Sequence, residues 1–126
     1  GTQGYVEWCS VLSNEGKPNP YDNFNSAPVL INPKTDEVIY TPLYYLLSHF
    51  SKFIRPNAVR IGLDHNDIDG LKLTAAKNTD GSIAIVVFNK NSVAQNVAFK
   101  LGGDTYTSQI APRAMQTILL KNAKAK

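Results

Sequence analysis

The residues with the clearest chemical potential lie near the start of the chain, where a tryptophan precedes a segment rich in asparagine. Trp8 offers an indole ring. The apolar face of a pyranose packs on such a ring while nearby amide groups bind its hydroxyls. The amides available here belong to Asn14, Asn19, Asn23 and Asn25. Trp8 equally suits a core position, and each asparagine suits a turn. The segment is therefore compatible with a sugar-facing strand end without establishing one.

Acid/base chemistry on a glycosidic bond usually needs two carboxyl groups facing that bond. They stand about 5–5.5 Å apart for retention of configuration and about 6.5–9.5 Å apart for inversion. Glu7 directly precedes Trp8, and neighbouring side chains of a strand point to opposite faces. The other early candidates are Glu15, Asp22, Asp36 and Glu37. Because no convincing pair is set up, we assign no catalytic residue to this chain.

The sequence contains even weaker signals for metal binding, nucleophilic catalysis and phosphate binding. Cys9 is the single cysteine and has no evident activating partner, and His49 lies beside an apolar helix stripe, as packed histidines do. No glycine loop for phosphate is present. An acidic cluster lacks the spacing of an EF-hand loop and is interpreted as solvated; it comprises Asp64, His65, Asn66, Asp67 and Asp69. We therefore predict no metal site and no cofactor.

Composition narrows the class of protein. The chain has 126 residues, of which 43% are hydrophobic and 18% charged, with a net charge of +3. These values are typical of a folded domain and not of a disordered segment. Basic residues are scattered except for a terminal group at Lys121, Lys124 and Lys126, so nucleic-acid binding is not predicted. The longest apolar run, 83–88, is far below the ~20 residues of a membrane span.

The first part of the chain predicts few regular elements. Tyr5–Leu12 is strand-like, residues 13–28 are irregular because of their prolines, and brief strands are expected at 29–31 and 38–40. A helix is expected over Pro42–Arg55, with Thr41 as its N-cap and Pro42 in the first helical position. Its broad apolar stripe, which should face a core, comprises Leu43, Leu46, Leu47, Phe50, Phe53 and Ile54.

The rest of the chain predicts antiparallel strands at about 71–76, 82–89, 97–101, 106–110 and 115–120. Residues 78–81 form a strong turn signal, and the run that follows is apolar on both faces, which favours a central strand. This spacing is typical of a sandwich or barrel piece. The strand, loop and helix at the front do not form a self-sufficient unit. We therefore expect them to be the tail of a larger domain, and the chain to be a fragment.

Several motifs in one register resemble the glucosylceramidases of glycoside hydrolase family 30. The most specific is the helix Tyr44–Ile54. The others are Trp8, Glu15–Asn19, Asn23–Phe24, Ser26–Pro28, Arg60–Leu63 and Asp80–Ser82 with the apolar strand that follows. Two positions depart from the pattern. Lys17 stands where the family usually has glycine, and Cys9 stands where asparagine is common. Lys17 puts the identity of the substrate in question.

The resemblance implies a fold and a site. Residues 1–56 would complete a (β/α)8 catalytic barrel, with Tyr5–Trp8 as its last strand. Residues 57–121 would form most of an antiparallel β-sandwich, in a domain that extends to residue 126. Trp8 and Asn23 match the family positions that contact the glucose unit. The two catalytic glutamates lie on earlier barrel strands, so this chain alone is expected to be inactive.

The resemblance also implies a substrate and partners. We expect a glucoside or glucosylceramide substrate, cleaved with retention, and the N-terminal barrel portion of the same enzyme as partner. Peripheral contact with membrane lipid and a lysosomal or secreted location follow from the same comparison. Two alternatives stay open. The chain could be a non-catalytic sandwich module that binds carbohydrate or stabilises a partner, or part of an enzyme that acts on β-1,6-linked glucan.

Overall fold

The computed structural model describes residues 4–21, 23–66 and 68–121. The chain separates into two compact units, of which one ends at Leu47 and the other begins at Ser48. In the described residues, the regular elements are short or medium strands and one helix.

The first unit contains a three-stranded sheet. Its strands are β1 (Val11–Ser13), β2 (Val29–Ile31) and β3 (Val38–Tyr40). β1 pairs with β2 in parallel, and β2 pairs with β3 antiparallel. The brief strands expected at 29–31 and 38–40 are confirmed.

The prediction of a strand at Tyr5–Trp8 is wrong, because the first strand begins only at Val11. A strand is held by hydrogen bonds to a neighbouring strand, and the described residues place no strand beside Tyr5–Trp8. The segment is also separated from β1 by Cys9, whose φ of 63° is in the left-handed region. A strand needs φ well below zero at every residue, so the extended path cannot continue through Cys9. Trp8 therefore precedes a backbone bend instead of ending a strand.

The single helix of the described residues, α1, covers Pro42–Ser51. Its start at Pro42 is confirmed, but it ends earlier than predicted, and turns continue to Ile54, whose N–H donates to the Phe50 carbonyl at 2.8 Å. The Thr41 carbonyl accepts from the Tyr44 N–H at 3.0 Å, as at an N-cap. The Thr41 hydroxyl donates to the Ala27 carbonyl at 2.9 Å, so it anchors the preceding loop to the start of the helix.

In the described residues, the apolar stripe of α1 is at most half-buried, so the core that it is predicted to face stays a prediction. None of the helical residues is buried. Leu46 and Phe50 are 46% and 38% exposed. A helix with so wide an apolar face is stabilised by packing against other elements, and the described residues do not supply that cover.

The second unit is a β structure of two sheets. The four-stranded sheet has the order β4 (Val59–Ile61), β5 (Leu71–Lys77), β6 (Ile83–Asn89) and β9 (Ala114–Leu120). The other sheet is the hairpin of β7 (Gln95–Leu101) and β8 (Asp104–Ile110). All pairs are antiparallel. β6 lies inside the larger sheet, which confirms the interpretation of its two apolar faces.

The core of this unit forms from alternate residues of its strands. Side chains at every second position of β5 and β6 share one face and meet those of β7, β8 and β9. The buried members of this cluster are Leu71, Ala75, Ile83, Ile85, Val87, Val97, Ile110 and Leu120. Inward-facing residues of two sheets thus enclose one apolar layer, as in a sandwich.

A buried asparagine fastens the β5–β6 turn to the segment after α1. Asn78 is 4% exposed. Its Nδ2 donates to the Phe53 carbonyl at 2.9 Å and to Ser82 Oγ at 3.0 Å, and its Oδ1 accepts from the Arg55 N–H at 2.9 Å. These bonds satisfy a buried polar group that would otherwise be costly.

Acidification should weaken the same turn through Asp80. Asp80 Oδ1 accepts from Ser82 Oγ at 2.6 Å and from the Ser82 N–H at 2.9 Å. These hydrogen bonds hold the pKa of Asp80 below its ordinary value of 3.8. A lowered folded-state pKa stabilises the fold above pH 3.8, and that contribution is lost as the pH falls through the lowered value.

We expect the melting temperature of the wild-type protein to fall more steeply below about pH 4 than that of Asp80→Asn. Thermal melts at pH 6, 4, 3 and 2 measure the difference. Parallel curves for the two proteins would show that Asp80 contributes nothing to the acid sensitivity.

Candidate functional site

The side chain of Trp8 is open to solvent in this structure. It is 73% exposed, so it is not a core tryptophan of the described unit. The carboxylate of Glu7 accepts from the Trp8 backbone N–H at 3.1 Å and from the Tyr5 hydroxyl. The bond to Glu7 also raises the pKa of Tyr5 above its ordinary value. The Glu7 carboxylate is thus hydrogen-bonded to both Tyr5 and Trp8. The Trp8 indole remains available as an apolar platform.

The loop that follows β1 begins with a tight turn. The Ser13 N–H donates to the Lys17 carbonyl at 2.7 Å, and the Gly16 N–H donates to the Ser13 carbonyl at 2.9 Å. Gly16 has a φ of 76°, and a Cβ there would lie 2.6 Å from the Asn25 backbone N. Only glycine fits both demands without a shift of the backbone.

The asparagines of this loop take different roles. Asn19 is half-buried and all its side-chain hydrogen bonds run to the backbone of the loop. Asn23 is exposed, and its carbonyl accepts one of those bonds. Asn14 is also exposed, and Asn25 flanks Gly16. Trp8 and Asn23 lie in the same unit; whether they line a glucose site stays a prediction.

The carboxyl groups that the structure describes near this loop form no visible acid/base pair. Glu15 is exposed, and its backbone N–H bonds to Ser13 Oγ at 3.3 Å. Asp36 has a φ of 58° in a turn before β3. Asp22 lies outside the described residues, as does Asp67 of the acidic cluster. Among the residues the structure describes, no group of three or more histidine, cysteine or acidic side chains is arranged to hold a metal ion.

His49 belongs to the second unit and has a structural environment. Its Nδ1 lies 2.9 Å from Thr117 Oγ1, and the Thr117 hydroxyl lies 3.3 Å from the His49 carbonyl. Burial lowers the pKa of His49. This agrees with the interpretation of His49 as a packed histidine that joins the end of α1 to β9.

The sequence alone did not distinguish Asn19 from the other asparagines of this loop. Its only local signal is the Asx pattern, in which Oδ1 accepts from the N–H two residues later, here at Tyr21. That pattern is common to many turns. The bonds to Gly16 and Asn23 depend on the path of the whole loop.

Comparison with known proteins shows the family to which the chain belongs. Residues 2–54 match the model of the glycosyl hydrolase family 30 TIM-barrel domain, and residues 57–118 match that of the family's beta-sandwich domain. The chain belongs to glycosyl hydrolase family 30. The predicted fold class, the tail of a TIM barrel followed by a β-sandwich, is thereby confirmed. The extent of each domain, 1–56 and 57–126, stays a prediction.

Relatives of this family 30 chain include glucosylceramidases. Putative glucosylceramidase 4 of Caenorhabditis elegans is 31% identical over 126 residues, which cover 94% of this chain and 24% of that protein. Lysosomal acid glucosylceramidase of Mus musculus is 35% identical over 89 residues, covering 71% of this chain and 17% of that protein. The chain thus spans less than a quarter of the length of either relative.

Solved structures share the fold. SrfJ from Salmonella typhimurium superposes with a TM-score of 0.82 at 24% identity, covering 90% of this chain and 25% of that one. An endo-beta1,6-glucanase superposes with a TM-score of 0.83 at 24% identity, covering 91% and 26%. Over the described ranges of this family 30 chain, no helix is long and apolar enough to cross a membrane.

Proposed function

We propose that this chain is the C-terminal part of a retaining β-glucosidase of the glucosylceramidase type. One observation carries the proposal: models of the two family 30 domains match in succession over 2–54 and 57–118, and curated glucosylceramidases align with the same chain. In this proposal residues 1–56 end the catalytic barrel and residues 57–126 belong to the sandwich. The N-terminal barrel portion of the same enzyme is the partner.

The proposed role of Trp8 and Asn23 is to hold the glucose unit. The 73% exposure of Trp8 supports it, because an indole engaged in a core has no face left for a sugar. The exposed position of Asn23, on a loop closed by side-chain bonds, supports it as well. Residues that orient a substrate lower the barrier even though they take no part in bond making.

The catalytic carboxyl groups of the proposed enzyme come from barrel strands beyond this chain. In a retaining mechanism one glutamate attacks the anomeric carbon and a second protonates the leaving oxygen; the second then activates the water that releases the sugar. Glu7 is already bonded to Tyr5 and to the Trp8 N–H, so it is not proposed for either role.

The proposed substrate class and location follow from the relatives. Glucosylceramide carries its glucose on a lipid, so its hydrolysis would bring the enzyme to a lipid surface. The name of the mouse relative supports a lysosomal location, with secretion as the alternative.

Hydrolysis assays on the full-length protein that carries this sequence test the proposal. We expect it to cleave a fluorogenic β-glucoside and glucosylceramide in detergent micelles, and NMR should show that β-glucose is released first. Cleavage of β-1,6-glucan without cleavage of these glucosides would favour a glucanase instead. Binding of sugar without any hydrolysis would favour an accessory module.

A further inference from the structure

One side chain closes the loop between β1 and β2. Asn19 Nδ2 lies 2.6 Å from the Gly16 carbonyl and 3.0 Å from the Asn23 carbonyl, and donates to both. Its Oδ1 accepts from the Tyr21 N–H at 2.9 Å. An amide has two donor hydrogens, and here both are used to join backbone groups on opposite limbs of the loop.

The two limbs already approach each other beside Asn19. The absence of a side chain at Gly16 lets its backbone meet that of Asn25, where a Cβ would lie 2.8 Å from the Asn25 carbonyl oxygen. A second side chain spans the same region, since Lys17 Nζ donates to the Tyr21 carbonyl at 2.8 Å. Strand pairing resumes only at β2, so the side-chain bonds of Lys17 and Asn19 help to fix the path of residues 16–21 and 23.

We infer that Asn19 is a positioning residue, which holds Asn23 where it can bind the sugar. The inference rests on the proposed function, because it needs Asn23 to contact the glucose unit. Asn23 is exposed, and the bond from Asn19 to its carbonyl ties its backbone to the rest of the loop. Asn19 thus acts on the substrate only through Asn23.

Asn19→Asp is the sharpest test, because it keeps the shape of the side chain and removes both donors. The carboxylate then faces the Gly16 and Asn23 carbonyls, which repel it. In the full-length enzyme we expect kcat/KM for a fluorogenic β-glucoside to fall by about 10- to 100-fold, as small misplacements of substrate-orienting groups do. Asn14→Asp, the same change at an exposed position of the same loop, is the matched control and should change kcat/KM less than twofold.

A double-mutant cycle with Asn23→Ala separates positioning from a merely structural role. If Asn19 acts through Asn23, then Asn19→Asp should lower kcat/KM by less than about threefold in the Asn23→Ala background. Equal effects in both backgrounds, or an Asn19→Asp enzyme that behaves like Asn14→Asp, would overturn the inference. If Asn19→Asp does not fold, Asn19→Ala takes its place in the same cycle.

The cycle also distinguishes failure of the inference from failure of the proposed function. If Asn23→Ala alone leaves kcat/KM unchanged, the glucose subsite is wrongly assigned and the inference falls with it. If Asn23→Ala impairs hydrolysis while Asn19→Asp does not, the proposed function stands and only the role of Asn19 is refuted.

Discussion

Replacing Trp8 by alanine is expected to lower kcat/KM for a β-glucoside by about 10- to 100-fold while leaving the melting temperature of the full-length enzyme within about 2 °C. The loss corresponds to roughly 1.4–2.7 kcal/mol of transition-state stabilisation, which one aromatic platform can supply. Stability should hardly change, because the indole is 73% exposed in this chain and its removal leaves no cavity here. Steady-state kinetics and thermal melts on the same samples measure both quantities.

Two variants make the Trp8 result specific. Trp8→Phe keeps an aromatic face and should recover part of the activity. Val6→Ala alters a side chain that is 93% exposed on the same segment and should leave kcat/KM unchanged. A Trp8→Ala enzyme that is fully active would remove Trp8 from the site. One that unfolds would show that the indole packs in the core of the complete barrel.

Replacing Asn89 by leucine is expected to destabilise the protein by about 3 kcal/mol, a loss typical of unsatisfied buried polar groups. Asn89 is fully buried in the second unit. Its Nδ2 lies 2.8 Å from the Val93 carbonyl, 3.0 Å from that of Ala111 and 3.2 Å from that of Ile110. Its Oδ1 accepts from the Asn91 N–H at 3.0 Å. One amide therefore joins the ends of β6 and β8 to the turn between β6 and β7.

Denaturant unfolding of the full-length protein measures this effect. Asn96→Ala is the control, because Asn96 is exposed on β7 and its amide oxygen accepts a bond from Gln109 at the surface. Removing such a surface group should change stability by less than about 1 kcal/mol. If Asn89→Leu were as stable as Asn96→Ala, the hydrogen bonds of the Asn89 amide would not be what stabilises these strand ends.

The sandwich strands were predictable because their signals are local. The run at 83–88 is apolar at successive positions, and only a strand with neighbours on both sides and cover on both faces buries such a run. β4 was missed as a strand, because it has three residues and only one of them, Ile61, packs against the core.

The errors in the first unit have a different cause. Nothing in the sequence marks Cys9 for positive φ, since the residues that favour that conformation are glycine and asparagine. The apolar stripe of α1 predicted a covered face because amphipathic helices stabilise themselves by tertiary packing. None of the helical residues is buried, so the described residues do not supply that cover.

The candidate site was only partly predictable. Residue type alone did not decide whether Trp8 is a core residue or a platform for sugar. The choice of Asn23 among four asparagines came from the resemblance to family 30. Asn19 is distinguished only by where its donors reach, namely Gly16 and Asn23. Those two carbonyls belong to opposite limbs of the loop, which no spacing rule places side by side.

A crystal structure of the full-length enzyme trapped with a 2-deoxy-2-fluoro-glucoside would test most directly whether this chain forms part of a glucose site. We predict a covalent glucosyl group with its ring within about 4 Å of the Trp8 indole and a hydroxyl hydrogen-bonded to the side chain of Asn23. A glucosyl group held without contact from either residue would contradict the assignment.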